Sequence, residues 1–260
     1  MKTDASVEIQ LGPGGFATTR WSVVLACANS GMESAAARDA LGELCRTYWR
    51  PIFAYICRRD YSTQDAEDLT QDFFTSLLRG ALLQRADPER GHFRSLLLKA
   101  LQDFLGHAAE KRDAQKRGGG VRFVSWDDWM AEAPSQLSIS AQALNLWSPE
   151  QLFDLRWAAT VVEQALRRLR EECQDKRRIR LFETLSLYLA TDRADISYHE
   201  LATVLGITES VVKKQLHNLR RRYRWLLCDE VAQTVEDPSD VEGEIRYLCA
   251  TLAAGTEVAA

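Results

Sequence analysis

The segment STQDAEDLTQDFFTSLL, which begins at Ser62, carries four acidic side chains at helical spacing. At about 100° per residue, Asp65, Asp68 and Asp72 fall on one stripe. A second stripe, about 120° away, is apolar and predicts the buried face: Ala66, Leu69, Phe73 and Leu77. Ser62 or Thr63 can cap the helix, and Asp65 completes a capping box with Ser62. Such carboxylates form either a solvated face or a docking surface for a basic protein, and their charge excludes DNA as the partner.

A second segment, KKQLHNLRRRYR at 213–224, holds six Lys or Arg residues and no acid. Apolar positions at helical spacing predict its core stripe: Val212, Leu216, Leu219, Tyr223 and Leu226. The opposite face and its flanks are polar or basic: Ser210, Lys213, Lys214, His217, Asn218 and Arg221. Lys can read guanine, Asn can read adenine and Arg can hold phosphates, so this face is a candidate reader of duplex DNA. The alternative is a solvated basic helix in a three-helix bundle.

Turn and capping residues indicate that the basic helix is the second helix of a helix-turn-helix at 197–227. Gly206 supplies the sharp turn between the two helices. Ser197 is placed to cap the first helix, and Glu200 predicts a capping box with it. Thr208 is placed to cap the second helix. The early residues of that helix would then face base edges in a major groove.

Other residue types that perform chemistry are present without the spacing that their chemistry requires. No phosphate loop, nucleophile elbow or metalloprotease motif occurs, so we predict neither an enzyme nor a cofactor. His107 and Glu110 lie three residues apart on a predicted helix, but no third ligand completes a metal site. The six cysteines form no CxxC pair, which favours buried apolar residues over a zinc site or a disulfide framework.

Composition limits the class of protein. A chain of 260 residues is long enough for one large domain or two small ones, and its net charge of −4 does not by itself point to nucleic acid. No apolar run is long enough to cross a bilayer, and the N-terminal residues lack the apolar core of a signal peptide. We therefore expect a cytoplasmic protein that does not bind membranes.

Helical periodicity runs through most of the chain and strand patterns are nearly absent, so the sequence predicts an all-α fold. A helix is predicted from Arg38 to Arg59, with a kink or break at Pro51. Two small helical domains, a linker and an acidic C-terminal extension are expected. The boundaries are a disordered N-terminus at 1–19, a first domain at 20–117, a linker at 118–150, a second domain at 151–228 and the extension at 229–260.

The extension contains eight acids and one arginine. Apolar residues at helical spacing predict a short amphipathic helix within it: Val241, Ile245, Leu248 and Leu252. In one hypothesis, the acids fold back on the basic recognition helix and mask it, because opposite charges attract at short range. In the other, the apolar stripe packs on the second domain.

Three stretches in this order resemble the sigma factors of bacterial RNA polymerase, and in particular the extracytoplasmic-function (ECF) group. They are LCRTYWRPIFAYICRRDYSTQDAEDLTQDFFTSLL at 44–78, FRSLLLKALQDFL at 93–105 and the helix-turn-helix at 197–227. DAEDLTQDFF is the most specific element. The stretches TRWSVVL and ADPERGHFRS, with the acidic extension, resemble a subgroup known chiefly from planctomycetes and related bacteria.

The resemblance implies an initiation factor that binds core RNA polymerase and directs it to promoter DNA. In that family, the acidic helix docks on the clamp helices of the core, a role that would fall to Asp65, Glu67, Asp68, Gln71 and Asp72. The second domain would read the distal promoter hexamer as duplex. The loop at 80–91 and the helix from His92 would recognise and melt the hexamer near the start site. The basic surface for that single strand would comprise Arg85, Arg90, His92, Arg94, Lys99, Lys111 and Arg112.

Several positions depart from the family pattern. Leu96 stands where the family usually has Trp, Asp103 where it has Asn, and His107 where it has Asp. Gln215 and Asn218 stand where Arg is common. The melting residues and the promoter sequence are therefore left open. Two other functions are also left open: a polymerase-independent helix-turn-helix regulator and a sigma-like protein-interaction decoy. Control by an anti-sigma protein or a kinase is open as well.

Overall fold

The computed structural model describes residues 35–59, 61–78, 93–115, 147–235 and 237–257. Within these ranges the chain is helical and contains no strand, which confirms the predicted all-α class. The α-helices are α1 (Ala35–Cys57), α2 (Thr63–Leu78), α3 (Phe93–Gln115), α4 (Pro149–Asp175), α5 (Ile179–Leu185), α6 (Tyr198–Leu205), α7 (Glu209–Ala232) and α8 (Val241–Glu257). Short 3-10 helices lie at Ser186–Tyr188, Arg193–Asp195 and Pro238–Asp240. The predicted disordered N-terminus and nearly all of the predicted linker lie outside the described residues.

Helix α1 runs through Pro51 without interruption, so the alternative of a break at this proline is wrong. Proline inside a helix costs about 3 kcal/mol because it removes one backbone hydrogen bond and crowds the preceding turn. Packing offsets this cost, because Pro51 itself and several of its neighbours in the helix are buried. Tyr48 is 2% exposed, and Ile52 and Tyr55 are 0% exposed.

Helix α1 packs along α4, which brings together segments from the two predicted domains. Phe153 and Trp157 of α4 lie in the same buried cluster as Tyr48 of α1, and the rings of Tyr48 and Phe153 stack at 6.4 Å. Polar groups also join the two helices, because Gln164 Nε2 donates to Thr47 Oγ1 at 3.1 Å. The two predicted domains are thus in direct contact, and the domain boundaries stay a prediction.

Helix α4 also contributes to a second buried cluster, which holds the helix-turn-helix together. Ala165, Leu169 and Cys173 of α4 contact it from one side. The other members come from α5 to α7 and their connections: Phe182, Leu185, Ile196, Leu201, Val212, Leu216, Leu219 and Leu226. Because α4 is 27 residues long, it spans both clusters and fixes the position of the helix-turn-helix relative to α1.

The ends of α4 are defined by local hydrogen bonds. Ser148 and Gln151 form a capping box at the first turn, with Pro149 at the first helical position. At the other end, Arg177 adopts φ 54°, in the left-handed region. Its N–H bonds the carbonyl of Gln174, and the next N–H bonds that of Cys173, so α4 ends in a Schellman motif.

Helix α8 forms within the acidic extension, as the apolar stripe predicted. It packs on α4 and on the C-terminal half of α7. Leu248 is 1% exposed and belongs to the cluster shared by α1 and α4. The extension therefore packs on helices of the predicted second domain, which confirms that hypothesis. It also reaches α3, as described below.

Candidate functional site

The acidic helix α2 begins at the cap that its sequence predicts. Ser62 Oγ accepts a hydrogen bond from the backbone N–H of Asp65 at 3.1 Å and donates to Asp65 Oδ2 at 2.8 Å. The backbone carbonyl of Ser62 accepts the first helical bond, from Ala66. Of the two predicted caps, Ser62 is therefore the one used. The carboxylate of Asp65 also lies in the first turn, where the helix dipole favours negative charge.

The five side chains predicted to dock on the polymerase all lie at the surface of α2. Asp65, Glu67, Asp68, Gln71 and Asp72 are each exposed. The opposite stripe faces the core, with Ala66, Phe73 and Leu77 at 0% exposure. Among the described residues, no ion pair joins these carboxylates to a cation. Helix α2 thus presents a uniformly acidic surface that protein cations can reach.

The turn between α6 and α7 has the geometry that its glycine predicts. Gly206 adopts φ 67° and ψ 32°, and its N–H donates to the carbonyls of the last helical turn. The predicted capping box between Ser197 and Glu200 is wrong, because Ser197 makes no side-chain cap bond. Thr208 occupies the N-cap position of α7 but also makes no cap bond. Its hydroxyl instead lies 3.0 Å from Ser210 Oγ.

The predicted duplex-reading face of α7 is open to solvent. Five of its six residues are exposed and one is partly exposed: the exposed ones are Ser210, Lys213, Lys214, His217 and Arg221, and the partly exposed one is Asn218. Four of the five residues of the predicted core stripe are buried, with Val212 and Leu226 at 0% exposure, and Tyr223 is partly buried. Lys213 pairs with Glu209 at 3.7 Å. The acidic extension does not cover this face, so the hypothesis that it masks the recognition helix is wrong.

Two of the four arginines at the end of the basic segment are held inside the fold. Arg220 donates to the backbone carbonyls of Tyr188 and Thr191. Arg222 forms a bidentate pair with Glu172 of α4, and its hydrogen bonds lower the pKa of that carboxyl. These arginines anchor α7 to its neighbours. Arg221 and Arg224 remain exposed for contact with phosphates.

Arg94, predicted to contact single-stranded DNA, is 9% exposed and lies against the C-terminal extension. Its Nε donates to Glu244 Oε1 at 2.9 Å, and its Nη2 donates to Glu244 Oε2 at 3.2 Å. The side chain of Glu244 is 2% exposed. In this arrangement, the guanidinium that was assigned to DNA is bound by a carboxylate of α8.

Aromatic and acidic groups from two helices complete the environment of Arg94. Its guanidinium carbon lies 5.1 Å from the ring centre of Trp157 and 4.3 Å from that of Tyr247. Nη1 lies 3.5 Å from Asp154 Oδ1, and the Tyr247 hydroxyl donates to Asp154 Oδ2. Sequence analysis did not find these partners, because Arg94 and Glu244 are 150 residues apart and no local pattern links them.

Lys99 is the other residue assigned to the single strand whose side chain the structure describes. Lys99 is exposed and pairs with Asp103 at 2.9 Å. A cleft of about 160 Å³ lies beside it. The cleft is lined by Arg94, Ser95, Leu98, Lys99, Gln102 and Asp154. Arg85, Arg90 and His92 lie outside the described residues, and Lys111 and Arg112 lie on the last turns of α3.

Three of the positions that depart from the family pattern, Leu96, Asp103 and His107, lie on α3. Leu96 is partly buried and packs on the shared core. The Nδ1 atom of His107 lies 2.7 Å from the carbonyl oxygen of Asp103.

No group of three metal-ligating side chains occurs in the described part of the chain. Burial raises the pKa of the thiols of Cys45, Cys173 and Cys228, which suits structural rather than reactive cysteines.

Comparison of the sequence with known proteins finds one family and one curated relative. Residues 56–229 match the family model described as ECF sigma factor. The chain is 24% identical over 188 residues to the RNA polymerase sigma factor YlaC of Bacillus subtilis (strain 168), an alignment that covers 70% of this chain and 89% of that protein. No solved structure matches the chain.

The chain belongs to the ECF sigma factor family. It is a sigma factor that directs promoter-specific initiation of transcription, and proteins of this class are transcription factors that bind core RNA polymerase and promoter DNA. Membership of the planctomycete subgroup stays a prediction. Among the helices that the structure describes, none is both long and apolar enough to cross a membrane.

Proposed function

We propose that the acidic face of α2 is the surface through which this sigma factor docks on core RNA polymerase. The observation that supports this proposal is the exposure of all five predicted docking side chains on one helix whose opposite stripe is buried. The contact would be electrostatic, with these carboxylates facing cations of the core. A partner of this kind would place the chain in the cytoplasm.

The docking proposal is tested by size-exclusion co-migration with purified core RNA polymerase. The double variant Asp68→Lys and Asp72→Lys reverses two exposed charges and should abolish co-migration, because the face would then repel a basic partner. A matched control is Glu171→Lys with Asp175→Lys, which makes the same charge change at exposed positions of α4. Co-migration of both variants to the same extent would contradict the proposal.

We further propose that α7 reads the distal promoter element as duplex DNA. Its exposed face combines groups of two kinds. Arg221 suits phosphate contact, and Asn218 and Lys214 suit contact with base edges. The position of these side chains on the second helix of a helix-turn-helix supports this division, because that helix enters the major groove in such motifs.

The duplex proposal predicts different effects for the two kinds of residue. With polymerase-bound protein and a selected promoter duplex, Arg221→Ala should weaken binding to all sequences and reduce the salt slope by about one. Asn218→Ala should change the preferred base at one position, as sequencing of the selected pool would show. Arg178→Ala, an exposed cation beside α5, is the control and should leave both properties unchanged. The proposal would be contradicted if Arg221→Ala left the affinity and salt slope unchanged and Asn218→Ala left the preferred base unchanged.

We propose that the single-stranded promoter DNA lies along α3 and the loop before it, beside Arg94 and Lys99. The cleft that these two residues line supports this placement, since an unstacked base needs both positive charge and a recess. A separate anti-sigma protein or a kinase is an open hypothesis for control of this step. The contacts of Arg94 with α8 support an internal control instead.

A further inference from the structure

The contact between Arg94 and Glu244 has the geometry by which proteins bind phosphate. The guanidinium donates two parallel hydrogen bonds, from Nε and Nη2, to the two oxygens of one carboxylate. Arginine binds phosphate and carboxylate groups through the same planar fork. Glu244 therefore occupies the donors that a DNA phosphate would use.

The rest of α8 holds this carboxylate in place. Tyr247, one turn after Glu244, covers the guanidinium of Arg94 and donates to Asp154 of α4. Further along, α8 approaches α4 so closely that a Cβ atom at Gly255 would lie 2.9 Å from Leu155 Cδ1. The side chain of Leu155 is itself fully buried. Glu244 is thus presented by a packed helix rather than by a loose acidic tail.

We propose that α8 is a built-in inhibitor of single-strand promoter binding, in which Glu244 competes with a DNA phosphate for Arg94. This inference rests on the proposed role of α3 in binding the single strand. The duplex-reading face of α7 stays exposed, so the inhibition acts on the single strand and leaves duplex contact free. Release of α8 from α3 and α4 would expose Arg94 next to Lys99 and the cleft. Tight binding of the single strand would then require α8 to move away.

The test compares two variants of the full chain that each remove one acid from α8. Glu244→Gln removes the carboxylate that binds Arg94. Glu242→Gln removes an exposed carboxylate from the same helix and is the matched control for a general change in charge. Binding to a fluorescein-labelled single-stranded DNA of random sequence is measured by anisotropy. We expect Glu244→Gln to bind about fivefold more tightly than the control, since release raises the fraction of binding-competent chains.

A double variant shows whether the gain comes from Arg94. Glu244→Gln combined with Arg94→Gln should bind no more tightly than Glu242→Gln, because the released arginine is absent. A gain that persists in the double variant would overturn the proposal. So would equal affinities of Glu244→Gln and Glu242→Gln.

Hydrogen exchange measured by mass spectrometry distinguishes release of α8 from loss of the fold. In Glu244→Gln, the amides of α8 should exchange faster while those of α4 and α7 keep their protection. Unchanged exchange in α8 would overturn the proposal.

If α4 also loses protection in Glu244→Gln, the variant Tyr247→Phe is used in its place. It keeps the carboxylate but removes the hydrogen bond to Asp154, and should give a smaller gain in affinity, whereas no gain would overturn the proposal.

The same preparations separate this inference from the function on which it rests. Failure of both the wild-type chain and the Glu244→Gln variant to bind the labelled single strand would contradict the proposed role of α3. Equal and measurable single-strand affinity of the Glu244→Gln and Glu242→Gln variants would contradict only the inhibition by α8. The first result is an absence of binding and the second is measurable binding without a difference, so one failure cannot be mistaken for the other.

Discussion

The guanidinium of Arg94 is held by groups from two helices. Glu244 and Tyr247 belong to α8, and Asp154 and Trp157 belong to α4. Removing one partner from a buried ion pair costs about 3–5 kcal/mol, because the remaining charge stays without compensation. If Glu244 is replaced, the buried guanidinium keeps only the carboxylate of Asp154, at 3.5 Å. Detachment of α8, which would return Arg94 to water, then becomes more favourable.

At the residue scale, Cys57 should resist alkylation in the folded chain. Burial, together with the nearby Glu67 carboxylate, raises the pKa of its thiol to about 12. Only the thiolate reacts, so about one molecule in ten thousand is reactive at about pH 8. Cys249 is exposed on α8 and should be modified by iodoacetamide before Cys57, as mass spectrometry of peptides would show.

The alkylation of Cys57 should also depend on pH in a defined direction. Its rate should rise about tenfold per pH unit up to the folded pKa. The folded pKa lies above the ordinary value of 9.0. The contribution of this thiol to the free energy of unfolding is therefore fully present below pH 9 and declines as pH rises toward 12. In urea, both cysteines should react at similar rates. Equal rates in the native chain would contradict the burial of Cys57.

At the scale of single elements, the end of α4 should tolerate glycine better than its native residue. Arg177 adopts the left-handed conformation that ends the Schellman motif. A residue with a Cβ atom pays a steric cost there that glycine avoids, although glycine loses more backbone entropy on folding. Arg177→Gly should therefore raise the free energy of unfolding by about 0.5 kcal/mol, measured by urea denaturation. Arg177→Ala keeps the strain and should not stabilise, so equal gains in both variants would contradict this account.

At the turn of the helix-turn-helix, the reverse substitution, of glycine by alanine, should destabilise the chain. Gly206 also lies in the left-handed region, and a Cβ atom added there would meet no atom within 4 Å. The cost of Gly206→Ala is therefore purely that of the backbone conformation, about 1–2 kcal/mol. Gly243→Ala is the control, because Gly243 lies inside α8 with nothing within 4 Å, and alanine there should stabilise by about 0.5–1 kcal/mol. Thermal unfolding followed by circular dichroism would detect both changes.

Local patterns were sufficient to predict most of these elements. The apolar stripes of α2, α7 and α8 identify their buried faces because one face of each helix packs on the core, and Ser62 and Gly206 act within a few residues of their own positions. Long-range partners have no such signal. In sequence, nothing distinguishes Glu244 from the other acids of the extension, or Arg220 from the other cations of the recognition helix. Their partners are distant in sequence and become neighbours only in the folded chain.

At the scale of the whole molecule, contact between α1 and α4 makes independent unfolding of the two predicted domains costly. Phe153 and Trp157 of α4 lie in the cluster with Tyr48 of α1, while Leu169 of the same helix lies in the helix-turn-helix cluster. Melting either cluster would expose apolar side chains of α4 to water. The Arg50–Glu163 pair and the contacts of α8 join the same parts of the chain.

We therefore expect one cooperative thermal transition, with a calorimetric enthalpy equal to the van't Hoff enthalpy. Trp157→Ala should shift this transition as a whole and lower the stability by about 3–5 kcal/mol, because Trp157 is fully buried at the contact of α1, α4 and α8. Trp225→Ala removes a tryptophan that is 40% exposed, and should cost about 1 kcal/mol or less, mainly through its contact with Arg222. Two transitions in the wild-type chain, of which only one responds to Trp157→Ala, would instead indicate domains that fold independently and meet only weakly.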